Sequence, residues 1–179
     1  MDNRQISRLK ALSYDPGMGL YAAFERVRAI VPDTVALASD GRELTYGQAA
    51  RAAGGIAARL RAAGMQRGDR VGLVGSRGIE AVLAMLGILR AGGAFVPLDP
   101  SYATEQLDFI VRDSAPKLLL HDTPLRELAE RLSRGAVPVL DIRDAAAAPV
   151  PEDADFPAAA GAEAAYVMYT SGSTGRPKG

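Results

Sequence analysis

The sequence predicts an α/β fold, layered α/β/α around a mostly parallel sheet. Two observations carry this. Short apolar runs at residues 70–74, 94–96, 117–120 and 137–140 read as buried strands. Between them lie segments with apolar residues at helical spacing, and strands alternating with helices of that length imply βαβ units. A third observation bounds the class. At 48% hydrophobic and 23% charged residues, the 179-residue chain has the composition of one ordinary globular domain.

In chain order, Leu20, Phe24, Val27 and Ile30 place a helix over residues 18–30, ended by Pro32 and Asp33. Residues 35–38 and 43–45 flank Asp40-Gly41, a two-residue hairpin signal. A long helix follows over 46–63, with Ala49, Ala53, Ile56, Leu60 and Ala63 as its buried stripe and Gly64 as its stop. After the strand at 70–74, Ile79, Val82, Leu83, Leu86 and Leu89 line one face of a helix. The strand at 94–96 is stopped by Pro97. A helix over 105–114 turns Leu107, Ile110 and Val111 inward, and another spans 124–133. Residues 144–161 are rich in Ala and Pro without apolar periodicity and read as an exposed linker. Strand character resumes at 164–169.

Composition excludes several chemistries. There is no cysteine, so disulfides, zinc thiolates and cysteine nucleophiles are ruled out. Lys and Arg number 21 and Asp and Glu 21, and the formal net charge is zero. That balance gives no electrostatic reason to expect nucleic acid or an anionic membrane as partner. The polar start lacks the apolar core of a secretory signal, and the apolar stretch near residues 81–89 is too short to span a bilayer. The expectation is a cytoplasmic protein.

The last segment carries the chemistry. A strand enters Thr170-Ser171-Gly172-Ser173-Thr174-Gly175-Arg176-Pro177-Lys178-Gly179. Glycines let backbone N–H groups turn towards a ligand, hydroxyls add neutral donors, and Lys178 adds a mobile positive charge. Such a segment suits a polyanion. By composition alone, a Gly/Ser/Thr linker fits equally well. The spacing is not that of a Walker P-loop, because two residues separate Gly172 from Gly175 and no hydroxyl residue follows Lys178.

The order of residues, Tyr166-Val167-Met168-Tyr169 and then Thr170 to Gly179, resembles the signature phosphate loop of adenylate-forming enzymes. These include acyl-CoA synthetases, luciferases and the adenylation domains of nonribosomal peptide synthetases. The run Leu89-Arg90-Ala91-Gly92-Gly93-Ala94-Phe95-Val96-Pro97-Leu98-Asp99-Pro100 is similar to a second core motif of the peptide-synthetase domains, and Leu44-Thr45-Tyr46 to the start of a first. There the sequence departs, with Gln48-Ala49 where the family usually has Glu-Leu.

The resemblance implies an incomplete N-terminal subdomain of the adenylate-forming fold. Its parts would be an extension at 1–17, an α/β subdomain at 18–143, the linker at 144–163, and a strand with a truncated phosphate loop at 164–179. It implies ATP-dependent activation of a carboxylic acid, an amino acid above all, as an acyl-adenylate, with Mg2+ accompanying the ATP. The acyl group would then pass to a carrier-protein pantetheine or coenzyme A thiol. Thr170, Ser171, Gly172, Ser173, Thr174, Gly175 and Lys178 would hold the phosphates, with no direct metal ligand and no catalytic residue in this stretch. The adenine pocket, substrate pocket and catalytic lysine would belong to a missing C-terminal portion of the same enzyme, so this piece alone is expected to be inactive. An acyl-CoA ligase fragment and a non-enzymatic nucleotide- or partner-binding module are the competing readings.

Three other features read as structural. His121, the lone histidine, follows an apolar run and is expected in a loop or at an edge. Asp99 and Asp141 stand at strand ends, where α/β ligand sites can form. Arg126, Glu127, Glu130 and Arg131 read as a solvated helix face.

Overall fold

The computed structural model describes residues 2–13, 15, 17–151, 156, 161–171 and 177–179. The elements run α1 (Asn3–Lys10), α2 (Leu20–Arg28), β1 (Val35–Ser39), β2 (Arg42–Thr45), α3 (Tyr46–Ala62), β3 (Arg70–Val74), α4 (Ile79–Arg90), β4 (Ala94–Leu98), α5 (Thr104–Ser114), β5 (Leu118–His121), α6 (Arg126–Ser133), β6 (Val139–Asp141), α7 (Ile142–Ala146), β7 (Thr170–Ser171) and β8 (Pro177–Lys178). A short 3-10 turn, Thr123–Leu125, leads into α6.

The central sheet is fully parallel, in the order β4-β3-β5-β6. Its strands alternate faces, as the period of two requires. Val71, Leu73, Leu118 and Leu120 pack on one side with α3, α4 and α7. Val74, Val96 and Leu119 pack on the other with Leu107 and Ile110 of α5 and Ala129 and Leu132 of α6. The result is the α/β/α layering expected. Beyond β4 the chain returns at Tyr166, which bridges Phe95 in parallel. The Phe95 N–H donates to the Ala165 carbonyl at 3.1 Å, and the Val167 N–H donates to the Phe95 carbonyl at 3.0 Å.

Local chemistry explains the element ends. Asp40 and Gly41 both have positive φ, 51° and 74°, and close the β1–β2 hairpin in two residues. Thr45 caps α3: its Oγ1 accepts from the Gln48 N–H, and the Gln48 side chain accepts from the Thr45 N–H at 2.8 Å. Gln48 thus completes a capping box, the same job a Glu would do at that position. Small residues set the spacing of the first helical layer. A Cβ on Gly55 would lie 2.7–2.8 Å from the carbonyl oxygens of Ala145, Ala146 and Ala148, so α7 can approach α3 only over a glycine.

Several expectations are corrected. On α4, Val82 and Leu86 are only half-buried, while Ala84, Gly87 and Ile88 are buried. The helix packs against α3 as well as the sheet, so its covered surface is wider than one stripe. Leu20 is exposed at 59% despite its helical register with Phe24. Pro97 does not stop β4, which runs on to Leu98. Phe95 directs both its polar groups to the 165–167 segment. Pro97, two residues on, faces the same side beyond the last bridge, so its missing N–H costs no bond to β3. Regular structure also reaches past Asp144: α7 is a helix, and Ala145 is buried against α3. His121 is not in a loop. It is 3% exposed in β5, between β3 and β6.

Candidate functional site

The phosphate-loop segment forms a hairpin base. β7 and β8 pair antiparallel, with Thr170 opposite Lys178 and Ser171 opposite Pro177. Thr170 and Lys178 are exposed. Of the residues expected to hold phosphates, the structure therefore brings Thr170, Ser171 and Lys178 together on one ladder. Gly172, Ser173, Thr174 and Gly175 lie outside the described residues.

The donor set at this base suits an anion. Between Thr170 and Gly179 there is no carboxylate side chain, while hydroxyl, backbone and ammonium donors are all present.

A residue just before the hairpin fastens it to the fold. The Tyr169 hydroxyl donates to Asp113 Oδ2 on α5 at 2.5 Å. Its ring meets Phe109 edge-on, with centroids 6.4 Å apart at 86°. Burial first, and then the Asp113 carboxylate, push the Tyr169 phenol up to about 12. The sequence motif contains Tyr169 but gives it no role, and nothing in the pattern around Asp113 marks it.

A second concavity, of about 290 Å³, opens at the C-terminal ends of β3 and β5. The sheet order reverses there, since β4 and β5 flank β3 on opposite sides. Glu80 ties its walls together, accepting from Arg42 at 2.6 Å and Arg143 at 3.2 Å. Asp122 Oδ2 accepts from the Ser76 N–H at 2.9 Å. This cavity shares no lining residue with the hairpin.

The two strand-end acids are structural. Asp99 accepts from Ser101 N–H and hydroxyl, at 2.9 and 2.7 Å, and folds the turn after β4. Asp141 caps α7 through the Arg143 N–H at 2.7 Å and accepts the Thr123 hydroxyl at 2.7 Å. The His121 ring donates from Nδ1 to the Asp122 carbonyl at 2.9 Å, with Asp141 Oδ2 at 3.9 Å. On α6, Arg126 and Glu130 form an i,i+4 pair on an exposed face.

Asp141 sets a pH dependence. Burial alone would raise its pKa, but hydrogen bonds from Thr123, Arg143 and Asp144, with His121 nearby, hold it below the ordinary carboxylate value. The folded state therefore favours the ion. That stabilisation is present above the unfolded pKa of about 3.9 and is lost as pH falls through the lower folded value. Thermal unfolding followed from about pH 5 downward should show a falling Tm. Asp141→Asn, which keeps an N-cap oxygen, should flatten that fall; an unchanged slope would remove Asp141 from the acid response.

The doubly wound sheet and the hairpin at its edge place the chain in the class of adenylate-forming enzymes, within their N-terminal subdomain. It belongs to the AMP-binding enzyme family, whose profile matches residues 24–179. The chain is 37% identical, over its whole length, to AMB antimetabolite synthetase AmbB of Pseudomonas aeruginosa, and covers 14% of it. It is 34% identical to tyrocidine synthase 1 of Brevibacillus parabrevis, again over its whole length, and covers 16% of it. Among solved structures, the nonribosomal peptide synthetase FmoA3 with AMPPNP bound matches at a TM-score of 0.78 and 30% identity, over 95% of this chain and 18% of that one. The N-terminal subdomain of Klebsiella oxytoca NpsA, in complex with 3-hydroxyanthranilyl-AMSN, matches at 0.76 and 25%, over 90% of this chain and 39% of that one. The chain thus spans a small part of the synthetases it matches. No helix among the described residues is long and apolar enough to cross a membrane.

Proposed function

We propose that this chain contributes the phosphate-gripping element of an enzyme that uses ATP to activate a carboxylic acid as its acyl-adenylate. The observation that carries the reading is the register of β7–β8: Thr170 stands opposite Lys178, so a hydroxyl and an ammonium residue are paired on one ladder. Bound there, ATP would supply an electrophilic α-phosphate and a pyrophosphate leaving group, with Mg2+ carried on its own phosphate oxygens. Thr170, Ser171, Ser173 and Thr174 would donate hydrogen bonds to the β- and γ-phosphates. Gly172 and Gly175 would let the backbone close on them, and Lys178 would balance the charge that grows on the departing pyrophosphate.

An amino acid is the substrate class favoured, since the 89–100 motif is similar to that of peptide-synthetase adenylation domains and the chain resembles the nonribosomal peptide synthetase FmoA3. A carrier-protein pantetheine thiol, rather than coenzyme A, is the acceptor that goes with this reading. In this reading the β3–β6 sheet is scaffold and residues 164–179 are the working strand and loop.

The test is ATP–pyrophosphate exchange by the full-length protein. Thr174→Ala removes one hydroxyl donor to an anion, a contact worth about 1.5 kcal/mol, and should slow exchange about tenfold. An unchanged rate would take Thr174 out of the site.

A further inference from the structure

The hairpin that carries Thr170 and Lys178 cannot hold its own position. β7 and β8 are two residues each, and an isolated pair of that length is unstable in water. On the sheet side, its nearest fastening is the single bridge from Phe95 to Tyr166. Nearer the hairpin, Val167 and Tyr169 pack on the α5–α6 side of the sheet, and Tyr169 alone adjoins the ladder. The Tyr169 ring lies against Gly179, which follows β8, and Tyr169 itself directly precedes Thr170 in the chain. A Cβ on Gly179 would fall 2.7–2.9 Å from three carbons of that ring, so the chain beyond Lys178 lies directly against the ring. The hydroxyl at that same end of the ring reaches the Asp113 carboxylate of α5, and the ring meets Phe109 edge-on.

We infer that Tyr169 and Asp113 are positioning residues for the phosphate-binding hairpin: the phenol–carboxylate bond fixes the ring, and the ring sets where Thr170 and Lys178 stand relative to the sheet. The inference rests on the ATP reading above for what the hairpin grips, but not for the anchoring itself. A phenol is well chosen for the task. Its hydroxyl remains a donor at any physiological pH, because burial and Asp113 oppose its ionisation. A bond from a neutral donor to a charged acceptor is also shorter and stronger than one between neutral groups. Asp113 belongs to a helix whose Leu107 and Ile110 are buried, so the acceptor sits on a rigid element.

Hydrogen–deuterium exchange on the full chain tests this, read at the amides of 165–171, 178 and 179 and, as control, at β5. Tyr169→Phe and Asp113→Ala should each speed exchange at the hairpin about tenfold and leave β5 at wild-type rates. The double variant should exchange no faster than either single one, since both remove the same bond. Asp113→Asn keeps an acceptor oxygen and should stay within about threefold of wild type. Wild-type hairpin rates in the single variants, or full additivity in the double one, would overturn the proposal. So would acceleration that extends equally to β5, because the pair would then hold the sheet and not the hairpin. Adding AMPPNP with Mg2+ separates the two readings. Protection of the hairpin in wild type, with an apparent affinity weakened about tenfold in Tyr169→Phe, supports both. Absence of protection in wild type would strike the ATP reading and leave the anchoring to be judged on the unliganded rates.

Discussion

Ile56→Ala should cost about 3–4 kcal/mol of stability, towards the upper part of the range for removing a buried Ile. Ile56 is fully buried on α3, where it faces Gly87 of α4. A Cβ on Gly87 would collide with Ile56 Cγ2, so the two residues fit as a knob and a hole. Deleting the knob leaves a cavity beside a residue with no side chain to relax into it. Gly87→Ala alone should also destabilise. Alanine gains about 1 kcal/mol of helix propensity over glycine, but overpacking a close helix contact costs about 1–3 kcal/mol. Combined, the changes should cancel only in part: alanine at 56 removes the Cγ2 that a Cβ on Gly87 would meet, while its own Cβ, 2.5 Å from the same point, stays and must give way towards the emptied space. The double variant should be more stable than the sum of the singles by about 1–2 kcal/mol. Denaturant unfolding of the three variants measures this. Additivity within about 0.5 kcal/mol would show that the two residues do not share a contact.

That contact also marks where sequence reasoning stops. The stripe Ala49, Ala53, Ile56, Leu60 on α3 is legible because one periodic pattern faces one core. The inner face of α4 is read too narrowly because apolar periodicity ranks large residues, and Gly87 is buried for being small. The four central strands come through to within two residues, since a central parallel strand is an unbroken apolar run, whereas the strand expected at 164–169 is a single bridge at Tyr166. His121 is misplaced for the same reason: a polar residue at the end of such a run looks like its exit, yet β6 covers it and the Asp122 carbonyl accepts its N–H. The phosphate-loop expectation rests on residue order, through the family resemblance it carries. The loop's anchor is not legible, because Tyr169 and Asp113 are 56 positions apart and meet only once α5 is folded onto its face of the sheet.

The other large effect should come from Lys178→Ala, read as kcat/KM for ATP in pyrophosphate exchange by the full-length protein. Lys178 is exposed and forms no ion pair with a described residue. Two unit charges 4 Å apart interact by about 4 kcal/mol at an effective dielectric of 20, and exposure and salt reduce that. A hydrogen bond to a charged group contributes about 1.5–3 kcal/mol net, which sets the expected loss at roughly 10- to 100-fold. If the ammonium follows the leaving pyrophosphate, the loss falls on kcat as much as on KM, because the interaction strengthens only as charge develops. If it merely attracts ATP, KM alone rises. Lys178→Arg keeps the charge but replaces a compact ammonium with a planar fork, and should recover only part of the rate. Raising ionic strength should narrow the gap between wild type and Lys178→Ala, since the term removed is electrostatic. An alanine variant with wild-type kcat/KM for ATP at low salt would mean that the ammonium opposite Thr170 does not meet the phosphates, and the hairpin would lose its reason for holding them face to face.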